Sequence, residues 1–166
     1  MTTAYYLTVT VHLLAALLWL GGMFFLGAVG APVLRTVEPP ALRQRLFQQL
    51  GIRFRTTGWW AVGILVVTGT MLLQMRGLLR WDGVLGEAIF WGTPLGRALA
   101  VKLAAVTTMI AVSLVHDLLH GPAASRARPG SEEALAFRRR AAKLARVNAL
   151  VGVVVVLAAV RLARGG

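Results

Sequence analysis

The sequence contains no cysteine. Disulfide staples, thiolate nucleophiles and cysteine-based zinc sites are therefore excluded. Acidic residues are scarce, six Asp+Glu in 166 residues, and none falls in the middle of an apolar run. A relay of intramembrane carboxylates, or a paired-carboxylate acid–base centre, has no residues to build it. The sequence also carries no Ser/His/Asp set, Gly-rich phosphate loop or dinucleotide fingerprint.

What is present is apolar. The chain is 57% hydrophobic and only 14% charged, with a mean hydropathy of +0.71, well beyond a soluble domain of this length. Four runs approach the roughly 20 apolar residues that a bilayer crossing requires. They extend roughly over Tyr5–Leu34, Thr57–Met75, Gly96–Leu119 and Val147–Leu162. The leader MTTAYY has no Lys or Arg and the first run is too long for a signal-peptide core, so this segment reads as a retained span. With no internal repeat, residues 1–166 read as a single domain: an all-α four-helix bundle embedded in the lipid bilayer.

Charge gives the expected orientation. Of 18 Lys+Arg, five (Arg35, Arg43, Arg45, Arg53, Arg55) follow the first span. Seven more (Arg126, Arg128, Arg138, Arg139, Arg140, Lys143, Arg146) follow the third. The opposite side holds Arg76, Arg80, Arg97, Arg161 and Arg164, and Lys102 lies within a span. The positive-inside bias places the twelve in the cytoplasm and both termini outside, in a bacterial cytoplasmic (inner) membrane. The net charge of +12 is thereby explained as topology, with no nucleic-acid partner.

The connecting segments carry structure of their own. EPPALRQRLFQQLGIRFR places Leu42, Leu46 and Leu50 on one helical face and reads as an interfacial amphipathic helix. The loop RWDGVLGEAIFWGTP offers Trp81 and Trp91 to an interfacial aromatic belt. GPAASRARPG reads as a flexible break, and Ser131, Glu132 and Glu133 as the start of a helix, with acids at its positive dipole end.

An ionisable group inside a span costs roughly 2.5–3.5 kcal/mol on insertion scales, so each one needs a reason. At about 1.5 Å per residue, His12 sits about 10 Å, and Lys102 about 9 Å, from the outer end of its span. Thr68 and Met71 of the second span reach a similar layer. His116 and His120 lie about 27 Å or more from that end, so His12 and His116 belong to different sites. His12, Ala16, Trp19 and Met23 form one helical stripe, and Ala15, Gly21 and Gly22 allow close helix approach.

Two readings of His12 stand side by side: a ligand to a metal or haem iron, or a histidine hydrogen-bonded to a neighbouring helix. Lys102 either faces the bundle or snorkels toward the headgroups. His116 and His120 in HDLLH have the i, i+4 spacing of a metal pair and, with Asp117, form a secondary candidate site. Their structural reading pairs Asp117 with an inner arginine. Met71, Met75 and Met109 are soft donors suited to Cu(I), or ordinary packing.

Several stretches resemble the CopD-like family of small bacterial membrane proteins, which is named for copper resistance. HLLAALLWLGG resembles the family's His-x6-Trp-x-Gly-Gly opening, RFRTTGWWAVGILVVTG its second-span entry, and TPLGRALAVKL the approach to an intramembrane Lys. HDLLHGP and ARVNALVGVVV resemble the ends of its single-domain members. The resemblance implies copper handling in the cytoplasmic membrane. A more distant likeness is to the haem-dependent protoporphyrinogen oxidase of HemJ type, which pairs a first-span His with a third-span Lys, here His12 and Lys102.

The resulting expectation is a membrane protein that binds copper or haem b in the outer half of the bundle. His12 serves as ligand, Met71 as a second donor to copper, Lys102 as an anion-pairing neighbour and Trp19 as the pocket's closure. Two other readings remain open: a membrane haem b oxidase, and a structural subunit of a larger respiratory or photosynthetic complex. Homo-oligomerisation is compatible with each.

Overall fold

A computed structural model of the chain describes residues 2–79, 83–120 and 131–165. Trp81, the GPAASRARPG stretch and the His120 side chain lie outside that description. Four helices are long and apolar enough to cross a membrane, and no strand occurs among the described residues. The protein is an all-α integral membrane protein, as its hydropathy predicts.

The first span, α1, covers Thr3–Arg35 and contains two wide π-type turns, at Leu17–Gly21 and Leu26–Gly30. The second, α2, is one unbroken helix over Pro40–Met75. A short α3 (Ala88–Gly92) precedes α4 (Pro94–Val115), which runs on as a π-type turn over His116–His120. The last helix, α5, covers Glu132–Ala163.

The amphipathic stretch after span one is helical as expected, but it does not form a separate interfacial element. No helix breaker separates it from span two, so it continues straight into it. At about 1.5 Å per residue, α2 is about 54 Å long against an apolar layer of about 30 Å, so several turns project beyond the layer. In the same way, α5 begins at Glu132, directly after Ser131, and enters the fourth span without a break.

The helix ends follow local rules. α2 stops at Gly77, whose φ of +70 suits glycine. Its N–H donates to Gln74 O at 2.9 Å and that of Leu78 to Leu73 O at 3.0 Å, a Schellman closure that fixes Arg76 at the helix end. α4 is capped by Thr93, whose hydroxyl accepts from Gly96 N at 3.0 Å, with Pro94 in the first turn. Gly96 is required there because the Phe90 carbonyl occupies the place of a Cβ.

Antiparallel α1 and α2 pack together, as do α4 and α5, and α1 also touches α5. Trp19, Ala61, Val62 and Met109 form an apolar plug in the middle of the bundle. Gly152 lets α5 close on it, since a Cβ there would meet Leu20 at 2.6 Å. A second cluster, Leu78, Phe90 and Leu99, closes the end that carries both termini. Trp91 joins this cluster and donates its indole N–H to Leu85 O at 3.1 Å. Large apolar side chains face outward along the spans (Leu17, 68% exposed; Trp60, 73%), which is the surface that lipid covers.

Candidate functional site

Two polar layers lie on either side of the apolar plug. The one toward the termini is centred on His12. Thr68 is buried, and its hydroxyl lies 2.7 Å from His12 Nδ1 and 2.6 Å from Ile64 O, one turn back on its own helix. A hydroxyl has one proton to give, and the Ile64 carbonyl can only accept. The geometry therefore makes Nδ1–H of His12 the donor to Thr68 and leaves Nε2 as the nitrogen with a free lone pair. This arrangement orients a metal-binding imidazole in many sites. The ring lies against Gly69, where a Cβ would stand in ordinary contact, 3.4 Å from His12 Cε1.

Lys102 enters this layer from α4, half-buried and within electrostatic reach of both His12 and Arg76. The shared depth expected of His12, Thr68 and Lys102 is what the helices deliver. Arg76 donates from Nε and Nη2 to the Tyr5 hydroxyl at 3.2 and 2.9 Å, tying α2 to the start of α1.

The other expected members stand apart from His12. Met71 is 41% exposed, turned toward the outer surface of α2. Trp19 is buried in the plug, two turns or about 10 Å along α1 from His12. Its indole lies against Gly58, where a Cβ would be 3.6 Å from Cδ1. Among the described residues no three His, Asp or Glu side chains gather into a metal-binding group.

The second layer lies toward the arginine-rich loops. Asp117 accepts from Trp59 Nε1 at 2.9 Å and lies 3.1 Å from His116 Nδ1. Among the described residues its partners are therefore an indole from span two and the adjacent imidazole; the inner arginines Arg126 and Arg128 lie outside the described residues. Trp59 reaches Asp117 because it is packed beside the end of α4 at the same depth.

Asn148, which the sequence reading passed over, is buried and donates to Ser113 Oγ at 3.2 Å and Met23 Sδ at 3.5 Å. An amide at the head of the apolar run NALVGVVVV was the available signal, since such groups join helices within membranes.

Residues 48–162 match the family described as copper resistance protein D, CopD. The chain belongs to the CopD family. An uncharacterized protein of Aquifex aeolicus (strain VF5) is 32% identical over 114 residues, 66% of each chain, so this chain spans just under two thirds of that relative's length. No solved structure matches. The CopD match contains Thr68, Arg76, Lys102, Asp117 and Asn148 but starts after α1. His12 and Trp19 therefore rest on their own geometry.

Proposed function

We propose that this copper-related membrane protein holds a metal or haem iron in the layer toward its termini, with His12 as the protein ligand. The observation that carries the proposal is the chain His12 Nδ1–Thr68 Oγ1–Ile64 O, which orients the imidazole and leaves Nε2 as a donor. Lys102 is the anion-pairing group beside it.

The surroundings favour haem b over a resident copper ion. A copper ion wants several donors at one depth, but Met71 is turned outward and no second imidazole or carboxylate joins His12 among the described residues. Lys102 also adds positive charge beside His12. A haem brings four nitrogens of its own and asks the protein for a single axial imidazole. Copper, which the family description names, is in this reading cargo or a regulated substrate. In this reading Trp19 and the plug close the floor of the layer.

In the proposed orientation both termini and the His12 layer face the outside of a bacterial inner membrane. The sequence has no native cysteine, so single cysteines at Thr2 and Ala41 report cleanly. Impermeant thiol reagent on intact cells should label Thr2→Cys and spare Ala41→Cys. The reverse pattern overturns the orientation. The cofactor is tested by metal analysis and an absorption spectrum of the purified chain, where a haem band that disappears in His12→Ala is the expected result.

A further inference from the structure

The amide of Asn148, on the buried face of α5, is satisfied on one side only. Its Nδ2 donates to Ser113 Oγ of α4 at 3.2 Å and to Met23 Sδ of α1 at 3.5 Å. Its Oδ1 is buried and has no hydrogen-bond partner among the described residues. Turning the amide over does not cure this, since Nδ2 would then be the stranded atom. A carbonyl oxygen left unpaired inside a span calls for a group from outside the chain, a water or an ion.

The neighbours of that oxygen are neutral, and two of them are sulfur. Met109 of α4 is fully buried, and its Sδ lies 3.9 Å from where a Cβ of Gly152 would stand. Gly152 is one turn from Asn148 on the same face of α5, and Met23 packs against the cluster that contains Met109. Two thioethers, an amide oxygen and a hydroxyl from three helices therefore gather about one turn of α5. No imidazole or carboxylate belongs to this set. Neutral donors with two sulfurs suit a soft monovalent cation and serve divalent ions poorly. Asp117, one turn beyond Ser113 on α4, supplies a single negative charge to the layer, which balances one positive charge and not two.

We propose that this turn of α5 is a second metal site, for a soft monovalent cation of the Cu(I) class, held by Asn148 Oδ1 and the sulfurs of Met109 and Met23. An ion on Oδ1 completes the amide without disturbing either bond that Nδ2 makes. The site lies on the loop side of Trp19, one turn along α1 from Met23, and is independent of what His12 binds. It rests on the reading of copper as cargo only for which soft ion is carried. Copper finds no second donor beside His12, whereas here its preferred sulfur donors meet.

The test is calorimetric titration of the purified full-length chain with Ag(I), a soft monovalent ion, and with Zn(II) as the divalent contrast. Haem content is read on the same samples. The wild type should bind one Ag(I) in preference to Zn(II). Met109→Leu and Met23→Leu, which conserve side-chain volume, should each weaken Ag(I) by about tenfold or more, as should Asn148→Leu. His12→Ala and Met71→Leu should leave Ag(I) unchanged, even where His12→Ala loses haem. No Ag(I) on the wild type would mean that Oδ1 holds only water, and overturns the proposal. Affinity that ignores both Met109→Leu and Met23→Leu overturns it as well, as does a preference for Zn(II). Loss of Ag(I) in His12→Ala would place the ion in the other layer and would also overturn it, whatever the haem reading shows.

Discussion

The two polar layers of this bundle use similar residues to opposite ends. In the layer near the loops, Asp117 takes an indole N–H and an imidazole, and Asn148 bridges Ser113 and Met23. These contacts join α1, α2, α4 and α5, and the Asn148 Oδ1 is buried with no hydrogen-bond partner among the described residues. In the layer near the termini, His12 is held through one nitrogen, with Lys102 beside it. The first layer is built as a clamp and the second as a receptor. The difference shows that a histidine within a membrane span becomes informative only once its partners are known. His116 is tied to a carboxylate, whereas His12 is aimed by a hydroxyl that is itself anchored to backbone.

Substitutions can break or sharpen this contrast. The largest effect is expected at the plug that separates the layers. Gly152→Leu drives a side chain into Leu20 and Met109 and should cost about 3 kcal/mol or more, abolishing both layers together. Yield of monodisperse protein after extraction measures it, and a well-folded variant would show that α5 packs elsewhere.

Asp117→Ala strands the Trp59 N–H and should destabilise the protein by about 1–3 kcal/mol while leaving the His12 layer loaded. Asp117→Asn keeps an acceptor and should lose much less. Thermal unfolding followed alongside cofactor content separates these outcomes, and cofactor loss in Asp117→Ala without unfolding would make the loop layer the binding site.

Thr68→Val removes the acceptor that orients His12. It should weaken cofactor retention by ~10-fold or more and, by stranding the Nδ1–H, cost about 1 kcal/mol of stability, and Thr68→Ser should recover both. Titration of the purified variants reads this directly.

The smallest effect belongs to Met71. As an outward-facing side chain, Met71→Leu should shift stability by no more than about 0.5 kcal/mol and leave bound copper and haem unchanged. A drop in copper there would restore Met71 as a donor.

Much of this was legible in the sequence because membrane physics is strict. The apolar runs gave the four spans, and depth counting along antiparallel helices placed His12, Thr68 and Lys102 in one layer before any contact was known. The helix boundaries were not legible. The stretch from Pro40 to Thr57 and span two share one helical periodicity, with nothing between them to end the helix. Rotation about the helix axes was also hidden. Depth alone admitted Met71 to the His12 layer, but the face of α2 that meets α1 is the one bearing Thr68 and Gly69, and Met71 turns away. Rotation likewise chose Trp59 as the partner of Asp117, which a count of arginines on the loops could not anticipate.

The most direct test compares His12→Ala with His116→Ala, each purified as full-length chain and assayed for bound copper and for a haem absorption band. The account predicts that His12→Ala loses the bound group while His116→Ala keeps it at the wild-type level. Loss in His116→Ala with retention in His12→Ala would contradict the account and move the site to the loop side of the plug.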